Sequence, residues 1–160
     1  MVVLVVTYFQ RVAVIESRTF DKLTAIRDLK IERLHDWLIE REGDMRTVSA
    51  DNEFKELQYI FFPGDNGHNE NQIIANVNRM LNRYLDNYPA YYKMFVVNPV
   101  TGKVFISTEK NIESNDVRHE DFFKIPMNTE ELTLTEIYYS NTLGEFTMDY
   151  SIPIFGKDDK

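Results

Sequence analysis

The sequence predicts an α+β fold in which a long N-terminal helix packs on a central antiparallel sheet, with additional short helices between them. Three observations predict it. Residues 10 to 50 contain no proline and one glycine, Gly43, in a composition rich in good helix formers. After Pro89 the apolar period changes from about 3.6 residues to about 2. Finally, the helical segments all precede the strand-like ones, the order of an α+β chain rather than of alternating βαβ units.

The N-terminal helix is justified by its stripe. At about 100° per residue, Val12, Phe20, Leu23, Ile26, Leu34, Trp37, Leu38, Met45 and Val48 fall within about 120° of one another, and Glu32, Asp36 and Glu40 lie off that face. A continuous helix over residues 10–50 would be roughly 60 Å long, against a radius of gyration of about 15 Å for a compact chain of this size. Part of it is therefore expected to project as a stalk, coverable by a second copy in a homodimer. The denser half, Leu34 to Val48, is expected to pack. Ahead of it, Val2 to Val6 with Tyr8, Phe9 and Arg11 has the order of a membrane helix leaving through an aromatic interface, so residues 1–9 read as the end of a membrane anchor. A short buried strand or a first helical turn fits the same residues. The run is far short of the roughly 18 to 20 apolar residues of a complete span.

Residues 51–90 continue as helices. Asp51 or Asn52 supplies an N-cap before Phe54, Leu57 and Tyr59 to Phe62, and Pro63 to Gly67 ends the segment. From Asn71 to Tyr88, Ile73, Ile74, Val77, Met80, Leu81, Tyr84, Leu85 and Tyr88 keep helical spacing until Pro89. Residues 91–160 are expected to form the sheet and a cover over it. Met94 to Val97 and Lys103 to Ser107 flank the turn residues Asn98 to Gly102 and read as a hairpin. Leu134 to Tyr139 and Glu145 to Phe155 read as strands joined by Ser140 to Gly144. In the last of these, Phe146, Met148, Tyr150, Ile152 and Ile154 alternate with Thr147, Asp149 and Ser151. Residues 109 to 132 look irregular and polar around Phe122, Phe123 and Ile125.

The 160 residues fit a single domain, and 43% apolar content with 13% aromatics can fill a core. Twenty-six acidic and eighteen basic residues give a net charge of −8, a field that repels nucleic acid. The absence of cysteine removes thiolate metal sites and cysteine nucleophiles. His35, His68 and His119 stand far apart in sequence, so no metal site is expected. Asp65, Asn66 and Asn69 lack the roughly 12-residue calcium-loop pattern with its terminal Glu. No G-x-S-x-G, H-E-x-x-H or P-loop pattern occurs, and no catalytic residue or cofactor is assigned.

Leu23 to Lys30, followed by Trp37-Leu38-Ile39-Glu40-Arg41 and Asp44, resembles the first helix of Cache sensor domains. Tyr91 to Ser107, with its Asn98 to Gly102 turn, resembles that family's first hairpin, and Thr135 to Ser140 with Gly144 to Phe155 resembles its closing strands. The likeness runs through most of the chain in the family's order. It implies a PAS-like sheet and an extracytoplasmic, membrane-anchored sensor of a small-molecule ligand, feeding a cytoplasmic output such as a histidine kinase of a two-component system. A homodimerising module without a ligand, and a cytoplasmic PAS domain holding a haem or flavin, are the alternatives. Family members continue past the segment equivalent to Ile152-Pro153-Ile154 into a further strand, so the resemblance implies either a sheet lacking that strand or a chain cut short. The Tyr, Arg, Trp and Asp pattern with which some members hold amino acids is not recognisable between residues 109 and 132.

The family's pocket lies between the sheet and its irregular cover, here Asn111 to Glu131. That placement makes Arg118, His119, Asp121, Tyr138, Asp149 and Ser151 the candidate ligand-binding residues. Arg118 suits a carboxylate, Asp149 an amine, and Tyr138 an apolar wall with a hydroxyl. Equally, Arg118 and Asp121 read as a solvated loop pair and Asp149 as an exposed strand residue. Tyr138 and Tyr139 point to opposite faces, and the sequence does not say which is buried.

Overall fold

A computed structural model describes residues 2–62, 67, 69–140 and 145–156, and for residues 2–7, 9, 10, 140 and 145 the backbone only. The Pro63 to Asn66 turn, His68, the Asn141 to Gly144 turn and residues 157–160 lie outside the described residues. In chain order the elements are α1 (Val2–Ser49), α2 (Asn52–Lys55), α3 (Gln58–Phe61), α4 (Glu70–Asn87), β1 (Phe95–Val97), β2 (Val104–Ser107), a 3-10 turn (Lys110–Ile112), α5 (Asp121–Thr129), β3 (Thr133–Leu134), β4 (Tyr138–Ser140), β5 (Glu145–Thr147) and β6 (Tyr150–Ser151). The fold is α+β, with a long N-terminal helix, short helices and small antiparallel sheets.

The chain divides into two units, Met1–Arg41 and Glu42–Lys160. The first is helical throughout its described residues, as expected from the lack of helix breakers, and the helical backbone at Val2 to Val6 removes the buried-strand reading. Phe20, Leu23 and Ile26 are exposed. Leu34, expected to pack, is 57% exposed, whereas Arg41 is 8% exposed. The Arg41 guanidinium lies 5.8 Å from the Trp37 ring centre and pairs with Glu40 at 3.0 Å. Cation–π contact and a charge partner are what make burial of a guanidinium tolerable. No helix among the described residues is long and apolar enough to cross a membrane.

The second unit is built on α4. Its N-cap Asn69 accepts from the backbone N–H of Gln72, satisfying one of the unpaired donors of the first turn. Ile73, Val77, Met80 and Leu81 form its buried stripe. Against that stripe pack Val48 from the end of α1, Phe54 and Leu57 from the α2 region, and Met94, Val96 and Ile106 from the first hairpin. The hairpin turn forms because Asn98 Oδ1 accepts from the N–H groups of Val100 and Thr101 and Gly102 takes a φ of 64°, a left-handed conformation that costs glycine little.

The other side of the same hairpin is also covered. Val104 joins Ile112 and Val117 in a second cluster, flanked by Phe95, Val97, Phe122 and Phe123, with the Phe95 and Phe122 rings edge to face at 5.7 Å. Pairing shifts between Val96–Ile106 and Val97–Val104, so Phe105 is an extra residue in a bulge. Its ring reaches back to Phe61 at 5.0 Å.

One expectation is corrected. Residues 109 to 132 are not irregular: they hold the 3-10 turn and α5, the latter with Pro126 buried inside it. Phe122 and Phe123 supply the apolar face that holds α5 against the hairpin, while Asp121 sits in the first turn, where negative charge suits the helix dipole. The antiparallel strands are also divided: among the described residues they make three two-stranded ladders, β1–β2, β3–β6 and β4–β5, and Leu134 to Tyr139 and Glu145 to Phe155 are each broken in two. Alanine at Leu81, which is 2% exposed, should lower unfolding free energy by about 2 to 5 kcal/mol. Alanine at the exposed Val100 should change it by less than about 0.5 kcal/mol. Urea midpoints at constant m-value measure both, and an unmoved midpoint for Leu81→Ala would contradict α4 as the base of the core.

Candidate functional site

The last two ladders are one hairpin interrupted by a bulge. Thr133 pairs with Ser151 and Leu134 with Tyr150, and the Thr135 N–H continues this register by donating to the Asp149 carbonyl at 3.0 Å. Beyond it Tyr138 pairs with Thr147 and Tyr139 with Phe146. Glu136 and Ile137 therefore stand opposite Met148 alone. Such an insertion increases local twist and re-aims the neighbouring side chains. It also overrides the alternation read from the sequence: Phe146, expected on the apolar face, is 75% exposed and meets Tyr139 edge-on at 5.5 Å.

Tyr138 is the half-buried tyrosine of its pair and Tyr139 the exposed one. Across the bulge the Tyr138 hydroxyl donates to Asp149 Oδ2 in a short hydrogen bond. The Asp149 N–H donates to Thr135 Oγ1 at 2.8 Å, which fixes the backbone carrying the carboxylate. Burial is the largest cause raising the Tyr138 phenol above its ordinary 10.0, followed by the Asp149 hydrogen bond and charge, with a further contribution from Glu120. Asp149 is thus not a freely exposed strand residue. Ser151 Oγ is buried and has no hydrogen-bond partner among the described residues.

The remaining three candidates occupy exposed positions at or just before the start of α5. Arg118 donates from Nε to both Asp116 carboxylate oxygens, at 3.0 and 3.1 Å, and from Nη2 to Oδ2. Its stem lies over Gly102, where an added Cβ would fall 1.9 Å from Arg118 Cγ. The Arg118 side-chain hydrogen bonds hold the Asp116 carboxyl down at about 2. His119 Nε2 lies 3.0 Å from Glu120 Oε1, and Asp121 pairs with Lys124 at 2.9 Å. The structure therefore brings Tyr138 and Asp149 together and leaves Arg118 and Asp121 as solvated pairs.

Sequence reading missed Thr135, Asp116 and Glu120. Only the D-x-R spacing of Asp116 and Arg118 offered a signal, since the others depend on register and on α5. It also missed a cavity of about 460 Å³ lined by Ser49, Ala50, Asn52, Lys55, Pro153, Phe155 and Gly156. Among the described residues there is no group of three or more His, Asp or Glu placed to hold a metal.

The raised phenol gives a signed expectation. A folded-state value above the unfolded 10.0 means that the neutral phenol stabilises the fold at full strength below pH 10. That contribution is lost as pH rises through the folded value. Tyr138→Phe should cost about 1 kcal/mol near pH 7 and should flatten the alkaline fall in stability above pH 10. An alkaline limb identical in wild type and variant, read by thermal unfolding against pH, would contradict the assignment.

No family model matches the chain, and no curated protein matches it. Solved structures do. The sensory domain of the Campylobacter jejuni chemoreceptor Tlp3 (CcmL) with isoleucine bound is 20% identical at a TM-score of 0.59, covering 78% of this chain and 48% of that one. The same sensory domain in another crystal structure gives 18% identity and a TM-score of 0.60 over 77% and 49%. The Tlp3 ligand-binding domain in complex with L-valine gives 20% and 0.59 over 77% and 48%. The chain thus spans about half the length of the structures it matches, and it shares their fold.

Proposed function

We propose that this chain is the extracytoplasmic ligand-sensing domain of a membrane-anchored signal-transduction receptor and has no catalytic activity of its own. The observation that carries the reading is the shared fold with a chemoreceptor sensory domain at TM-scores of 0.59 to 0.60, in agreement with the Cache resemblance of the sequence. The ligand class it favours is a small amino acid, as in the isoleucine and L-valine complexes of those neighbours. Asp149 would take the ligand's amine, displacing the Tyr138 hydroxyl that now satisfies it, and Ser151 Oγ would gain a partner. Arg118 would offer its free guanidinium edge to a carboxylate, with His119 and Asp121 at the rim.

The exposed Phe20, Leu23 and Ile26 on α1 support a homodimer formed through this helix, because a second copy would bury them. Signalling then requires that ligand bind one arrangement of the receptor better than another. A two-component histidine kinase is the proposed output, and the coding sequence downstream distinguishes it from a chemoreceptor.

Calorimetry and thermal unfolding with L-isoleucine and L-valine test the reading. Saturating ligand at about 100 times its dissociation constant should stabilise the chain by about 2.7 kcal/mol, and Asp149→Asn should weaken binding by tenfold or more, about 1.4 kcal/mol. If no amino acid binds while sedimentation shows a dimer broken by Leu23→Glu, the chain is a dimerising interaction module instead.

A further inference from the structure

We propose a second ligand site, separate from Tyr138 and Asp149, that takes a small monocarboxylate with a hydrocarbon body in the cavity beside the end of α1. The cavity's volume of about 460 Å³ lies in the range of small-molecule pockets, roughly 300 to 1,000 Å³. One wall comes from Ser49, the last residue of α1, and from Asn52 and Lys55 of α2. The facing wall is Pro153 and Phe155, which follow β6.

The chemistry of the lining selects the ligand. Lys55 is half-buried and belongs to none of the ion pairs among the described residues. Lys55 is the cation of the lining, and an anion in the cavity would accept a charge-assisted hydrogen bond from it. Asn52 adds an amide donor. The Ser49 hydroxyl already donates to the Arg46 carbonyl, so it can offer an anion nothing more. Phe155 is exposed although large and apolar, and with Pro153 it gives a hydrocarbon group a surface to cover. A bare inorganic anion would leave that surface wet, and an amine would face Lys55. An occupant would touch both the last turn of α1 and the segment after β6, and so tie the two together.

The test is calorimetry and thermal unfolding of the whole chain with sodium acetate, butyrate and benzoate at constant ionic strength. Benzoate should bind saturably and more tightly than butyrate, and acetate most weakly. Lys55→Met should abolish binding of all three, and Lys55→Arg should retain it. Phe155→Ala should weaken benzoate about tenfold while leaving acetate unchanged. Each variant's circular dichroism and urea midpoint show that it is folded. The absence of saturable binding, binding undiminished in Lys55→Met, or an equal response to sodium chloride would overturn the proposal. Since the amino-acid site uses other residues, loss of isoleucine binding in Asp149→Asn has no bearing on this result.

Discussion

The second unit depends on the burial of one short hairpin from both sides. β1 and β2 are only three and four residues long, too short to be stable as an isolated ribbon in water. They persist because Val96 and Ile106 lie in the α4 core while Val104 packs with Ile112 and Val117 beneath Phe122 and Phe123. The bulge at Phe105 lets one strand serve both layers. Through Phe122 the hairpin holds α5, and α5 in turn contacts β3 and β6, whose ladder leads into the bulge between Tyr138 and Asp149. The candidate site is thus the last link in a line of packing that starts at α4.

That order explains what was legible in the sequence. α1 and α4 were readable because their apolar residues repeat at helical spacing over many turns, and the first hairpin because Asn98 and Gly102 punctuate it. α5 was hidden by Pro126 and by the charged residues around it, whose helical state follows from two phenylalanines finding the hairpin. The second bulge was invisible for a different reason. Strict alternation from Phe146 to Ile154 reports a local preference for strand but says nothing of how many residues stand opposite, so the faces of Tyr138, Phe146 and Asp149 could not be assigned. Burial of Arg41 had no sequence signal beyond Trp37 one turn earlier.

The side-chain pairing within the candidate site was half legible. Residue type and the Cache resemblance selected Tyr138 and Asp149, which the structure joins by a hydrogen bond. They also selected Arg118 and Asp121, which the structure pairs with Asp116 and Lys124 instead. The phenol's neighbourhood is acidic, with Asp149 and Glu120 both raising its titration. A ligand cation is therefore the better complement to this part of the surface, and Asp149 is the residue on which the amino-acid reading rests most.

Native-state hydrogen exchange tests the two-sided burial of the hairpin most directly. The amides of Val104, which bonds the Asn115 carbonyl, and Thr108, which bonds that of Met94, should exchange at the same opening free energy as Val77 and Leu81 in α4. They should exchange only through global unfolding. Exchange of Val104 and Thr108 through a much cheaper local opening, with α4 still protected, would show that the hairpin is an appendage and would contradict the account.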